Sequence, residues 1–93
     1  MTSPSVVVVG ACNVDLISYV PRFPKPGETL KGTSFAQGWG GKGANQAVQA
    51  SLLAEDRGCV AMVGKVGSDA YGRDTLENFR QKGVNIDHMV GEW

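Results

Sequence analysis

Two short stretches hold residue types suited to binding hydroxyl groups. Asn13 and Asp15 stand two apart, just past the β-branched run Val6-Val7-Val8-Val9, and Gly41-Lys42-Gly43-Ala44-Asn45 opens an alanine-rich segment. An ionised carboxylate only accepts hydrogen bonds, an amide both gives and takes them, and so does each hydroxyl of a polyol. Glycines at 40, 41 and 43 remove side chains, so a flat polar ring can lie against the backbone and reach its amides. The chemistry indicated is recognition of an uncharged, polyhydroxylated guest. The same residues have commoner uses: Asp15 as a turn residue after a strand, Asn45 at a helix start, and the glycines as a sharp turn. Residue chemistry alone leaves both readings standing.

Phosphate loops fit the glycine cluster less well. A Walker A loop needs Gly, four residues, then Gly-Lys-Ser/Thr; here Ala36 stands where the loop should open, and Gly43 follows Lys42. Gly38, Gly40 and Gly43 do satisfy G-x-G-x-x-G. That fingerprint belongs to the first strand-to-helix turn of a parallel unit, and the first strand of this chain ends instead in Gly10-Ala11-Cys12-Asn13.

The elements that must position these residues follow from hydrophobic period and punctuation. Ser5 to Gly10 reads as a strand buried on both faces. Leu16–Val20 and Thr29–Phe35 are β-prone and separated by Pro21, Pro24, Pro26 and Gly27, which predicts an antiparallel pair joined by a proline-rich turn. After the glycines, Ala44, Ala47, Val48, Ser51 and Leu52 recur on one helical face. Val60 to Gly67 reads as a second buried strand. Ser68 or Asp69 can cap a helix that turns Leu76 and Phe79 inward and stops at Gly83, and Val84 to Val90 reads as a third strand. The predicted fold class is α/β, a parallel sheet flanked by helices and interrupted early by a small antiparallel sheet. The sequence stops at Gly91-Glu92-Trp93, just after that third strand. So short a parallel sheet has open edges, which predicts that further chain or a partner covers them.

Composition narrows the function classes. Across 93 residues, nine basic side chains balance nine acidic ones, so no electrostatic footprint points to nucleic acid or an anionic membrane. The run at Val6–Val9 is far too short to span a bilayer, and no signal-peptide pattern opens the chain; the expectation is a soluble, cytoplasmic protein, in a eukaryotic cell also nuclear. Cys12 and Cys59 lack the spacing of a metal site and read as reduced, mostly buried thiols. His88, the only histidine, reads as a structural residue in the third strand rather than a ligand or base.

Taken together, the motifs Gly10-Ala11-Cys12-Asn13-Val14-Asp15, Pro24-Lys25-Pro26-Gly27-Glu28-Thr29, Gly40-Gly41-Lys42-Gly43-Ala44-Asn45-Gln46-Ala47 and Val66-Gly67-Ser68-Asp69 with Tyr71-Gly72 closely resemble the N-terminal part of the ribokinases, within the PfkB-type carbohydrate kinases. The resemblance covers nearly the whole chain, residues 1–93, as part of a ribokinase-like domain. It implies ATP-dependent phosphorylation of D-ribose to ribose 5-phosphate, with magnesium for the nucleotide and activation by a monovalent cation such as potassium. It implies that Asn13, Asp15, Gly41, Lys42, Gly43 and Asn45 line the sugar site. It implies further that residues about 16–20 and 29–39 form a lid that covers the sugar and pairs with the lid of a second subunit in a homodimer. The catalytic aspartate, the ATP pocket and the metal site of ribokinases lie beyond residue 93, so this chain is expected to carry the sugar-binding half alone and to be inactive by itself. The alternatives are a sibling sugar or nucleoside kinase of the same family, and a non-catalytic sugar-binding or dimerisation module should the chain truly end at Trp93.

Overall fold

A computed structural model describes residues 4–91; the chain end at Glu92 and Trp93 lies outside the described residues. The elements in chain order are β1 (Val6–Val9), β2 (Asn13–Tyr19), β3 (Ser34–Gly40), α1 (Lys42–Leu53), β4 (Val60–Val63) and α2 (Ala70–Gln81). They form two separate sheets. β1 and β4 pair in parallel, Val6 opposite Val60 through Val9 opposite Val63. β2 and β3 pair antiparallel as a ribbon, Asn13 opposite Gly40 through Tyr19 opposite Ser34. The α/β class with a small antiparallel addition is as the pattern predicts.

The core lies between the parallel sheet and the two helices. Small residues on α1, Ala44 and Ala47, let it sit close to the strands, and with Val60, Met62, Phe79 and Val84 they form one buried cluster. Each fully buried side chain of the size of Val60, Met62 or Phe79 contributes about 1.5–3 kcal/mol of burial. α2 begins at Asp69, whose carboxylate accepts from the Gly72 amide at 2.9 Å. It ends in a Schellman turn: Val84 N–H donates to the Phe79 carbonyl and Gly83 N–H to that of Arg80, with Gly83 at φ +82°, a backbone shape glycine adopts without a Cβ penalty.

Four predicted features are corrected. β1 is not buried on both faces: Val6, Val7 and Val9 are exposed, Val9 by 76%. A parallel strand is buried only when neighbours flank it and helices cover both faces; among the described residues β1 has β4 on one edge and α1 on one face. The third strand is reduced to two isolated parallel bridges, Ala61 with Asn85 and Lys65 with Val90. Between them Asn85 Oδ1 accepts from the Asp87 N–H at 2.9 Å, an Asx turn that competes with the ladder, so His88 stands exposed on a turn rather than in a strand. The second parallel strand stops at Val63, and Leu52 at the end of α1 is exposed. Cys12 and Cys59 are free and pack against the core cluster, most of their surface covered, and burial pushes the Cys12 thiol up from its ordinary pKa.

The ribbon also differs in extent. β2 begins at Asn13 and β3 at Ser34, so residues 29–33 lie outside the ladder while Gly38 and Gly40 lie in it. The ladder closes where the Tyr19 carbonyl accepts from both N–H and Oγ1–H of Thr33, at 2.7 and 3.1 Å. The proline-rich turn beyond is tied by a two-pronged ion pair: Arg22 Nη1 and Nη2 reach Glu28 Oε1 and Oε2 at 2.7 and 2.8 Å. That guanidinium, with the Lys25 amide, holds the Glu28 carboxyl below its ordinary pKa.

Candidate functional site

The site is built where the ribbon leaves the parallel sheet and returns to start α1. The loop Gly10-Ala11-Cys12 carries the chain from β1 into β2, and β3 passes into α1 through Gly41 alone. The two crossings are held together by backbone. The Ala44 N–H donates to the Ala11 carbonyl at 3.0 Å, satisfying an amide of the first helical turn that no side chain caps. A Cβ at Gly43 would come within 2.9 Å of Gly10 Cα, and one at Gly41 within 2.5 Å of the Ala11 carbonyl oxygen. Gly41 also adopts φ +97°. These two glycines are therefore required by the packing of one backbone on another, and that packing brings Asn13 and Asp15 to the start of α1.

The cross-strand register completes the arrangement. Asn13 pairs with Gly40 and Asp15 with Gly38, and Asn13 and Asp15, two apart on a strand, share one face. The Asp15 side chain leans toward the α1 end of the ribbon: its two carboxylate oxygens lie 2.7 and 2.8 Å from where a Cβ of Gly40 would be. Lys42 and Gly43 are the first residues of α1, and Asn45, whose N–H donates to the Gly41 carbonyl at 2.9 Å, closes the first intrahelical bond. Asn13, Asp15, Lys42 and Asn45 are all exposed, so their polar groups are open to a guest. The backbone thus brings the strand that carries Asn13 and Asp15 to the helix start that carries Lys42 and Asn45, with the Asp15 carboxylate against Gly40 at the junction.

An open cleft of about 750 Å³ lies between the start of β2 and the first turn of α2; Asn13 lines it together with Ala11, Val14, Leu16, Asp69 and Tyr71, whereas Asp15, Lys42 and Asn45 do not. Val14 and Leu16 alternate with Asp15 along β2, so the Asp15 carboxylate faces the other way. Gly38 and Gly40 lie on an antiparallel strand and not on the turn after a parallel one, which removes the structural context of a dinucleotide fingerprint. Among the described residues no three His, Cys, Asp or Glu side chains gather as a metal site, and no helix is long and apolar enough to cross a membrane.

Gly10 and Ala11, which in the sequence only open a motif, receive α1; their signal is a Gly-Ala pair directly after the first strand. Gly40, in the sequence one of several bare positions, lies against the Asp15 carboxylate.

This chain is a member of the pfkB family of carbohydrate kinases, whose profile it matches over residues 3–92. The mouse ribokinase is 48% identical over 83 residues, which are 89% of this chain and 25% of the mouse protein. The solved ribokinase of Giardia lamblia superposes with a TM-score of 0.85 at 34% identity, over 99% of this chain and 27% of that one. That of Arabidopsis thaliana, solved with ribose and ATP, gives a TM-score of 0.77 at 35% identity over 98% of this chain and 29% of its own. The chain spans about a quarter of the length of the curated relatives it matches.

Proposed function

We propose that this chain is the sugar-binding half of a ribokinase, holding D-ribose for ATP-dependent phosphorylation to ribose 5-phosphate. The observation that carries the reading is the Asp15 carboxylate, brought by the ribbon's register over Gly40 and toward the first turn of α1. In this reading Asp15 accepts from ribose hydroxyls, the Asn13 and Asn45 amides give and take the complementary hydrogen bonds, and the backbone at Gly41 and Gly43 lets the ring lie flat. Lys42 holds a hydroxyl, and its charge also suits a phosphate approaching the same end of the helix. ATP is the phosphoryl donor, as the nucleotide complex of the Arabidopsis relative suggests. Magnesium and a monovalent cation follow from the resemblance alone, and no residue described here is assigned to either, nor to the catalytic base.

We further read residues 1–93 as part of one ribokinase-like domain whose ribbon is the lid. Leu16, Phe35 and Trp39 are exposed on one face of the ribbon, and Ile17 and Tyr19 on the other, apolar surface that a partner could bury. A second copy's ribbon would be that partner, and closure over the sugar would exclude water.

The test is calorimetry and kinase assay on the protein as its own cells make it, with ribose, fructose, deoxyribose and adenosine as acceptors. Ribose is expected to be preferred by a wide margin, and Asp15→Ala to weaken ribose binding by about 100-fold or more while sparing ATP, since more than one hydrogen bond to a charged group is lost. Unchanged ribose affinity in that variant would reject the site. Ribose binding with no phosphoryl transfer would leave a sugar-binding module in place of the kinase.

A further inference from the structure

We infer that Gly40 is a positioning residue for Asp15, and that its missing side chain, not its backbone freedom, sets where the carboxylate meets the sugar. The inference rests on the proposed role of Asp15. Gly40 is a buried residue at the end of β3, and its φ is not positive, so an L-residue could adopt its backbone conformation. The three atoms nearest to a Cβ at this position are Oδ1, Oδ2 and Cγ of Asp15, at 2.7, 2.8 and 3.0 Å. The carboxylate therefore occupies the volume that any other residue type would fill.

The neighbouring glycines behave differently. A Cβ at Gly41 or Gly43 meets backbone of the Gly10-Ala11-Cys12 loop, so substitution there strains the fold. A Cβ at Gly38 meets Ile17 Cδ1 at 3.8 Å and Asp15 Cβ at 4.0 Å, ordinary contacts. Only at Gly40 is the obstacle the far end of a rotatable side chain. Alanine there is accommodated by swinging the Asp15 carboxylate off the ribbon, with the ladder intact. Folding and sugar recognition separate at this one residue.

The experiment uses the protein as its own cells make it, with D-ribose and ATP titrated separately by calorimetry. Gly40→Ala is expected to melt within a few degrees of the parent, to bind ATP as the parent does, and to bind ribose about 10- to 100-fold more weakly, the range for losing a hydrogen bond to a charged group. Gly38→Ala is expected to bind ribose as the parent does. A crystal structure of Gly40→Ala should show Asp15 in a different rotamer with Asn13 still opposite residue 40. Parent-like ribose affinity in Gly40→Ala, or a carboxylate unmoved in its crystal structure, would overturn the inference while leaving Asp15 as the sugar ligand. Parent-like affinity in Asp15→Ala would instead remove the reading of the site, and the inference with it.

Discussion

Gly41 and Gly40 are neighbours with opposite constraints. Gly41 holds φ +97°, where a side chain costs about 1–3 kcal/mol, and its Cβ would also press on the Ala11 carbonyl and Cys12 Cα at 2.5 and 2.8 Å. Gly41→Ala is therefore expected to lose about 2 kcal/mol or more of stability, read as a fall of roughly 8 °C or more in melting temperature for a domain of this size. A parent-like melting curve would mean that the loop yields more readily than its backbone contacts indicate. At this scale the sequence was informative about identity and silent about cause. Asn13, Asp15 and the glycines could be singled out by type, because donors, acceptors and missing side chains are properties of single residues. That Gly40 lies under the Asp15 carboxylate could not, because it depends on which residue of β3 faces which residue of β2.

Among the elements, α2 was the most legible, because its boundaries are set by local chemistry: an acidic cap at Asp69 and a glycine at 83. Asp69→Ala removes the acceptor that the Gly72 amide uses and is expected to cost about 1 kcal/mol, with Asp69→Ser losing far less. Paired chemical denaturation curves would check this, and equal losses in the two variants would assign the cost to something other than the cap. α1 lacks such a cap and relies on the Ala11 carbonyl 33 residues upstream of Ala44, a partner that no local pattern announces. The ribbon was legible in its pairing but not its length, since Gly38 and Gly40 argue against strand by propensity while the ladder runs through them. The stretch after Val84 misled for the converse reason. Its β-prone residues are interrupted by an Asx turn at Asn85, which a propensity scan does not see.

Across the whole molecule the core is small and the outline long. The Cα radius of gyration is 16.3 Å, with extents of 54 × 30 × 18 Å, against about 12 Å for a compact chain of this length. The excess is the projecting ribbon. With few large side chains fully buried, Phe79 at 1% exposure anchors α2 to the rest, and Phe79→Ala is expected to cost about 3–5 kcal/mol. A loss below about 1 kcal/mol by denaturation would mean that the cavity collapses or that α2 contributes little to the cooperative unit. The parallel order of β1 and β4 was legible from the alternation of strand and helix, whereas the exposure of β1 was not, because burial depends on neighbours that a strand's own residues do not specify.

The two feet of the ribbon stand together, one joined to the other by the Ala11–Ala44 bond and by the bare contact of Gly10 with Gly43. Seven residues of β2 make an arm of roughly 23 Å, so a tilt of about 10° at the feet carries the far turn through roughly 4 Å. The ribbon is thus geared: any change of angle at its base grows along the arm and is largest at the Arg22–Glu28 turn.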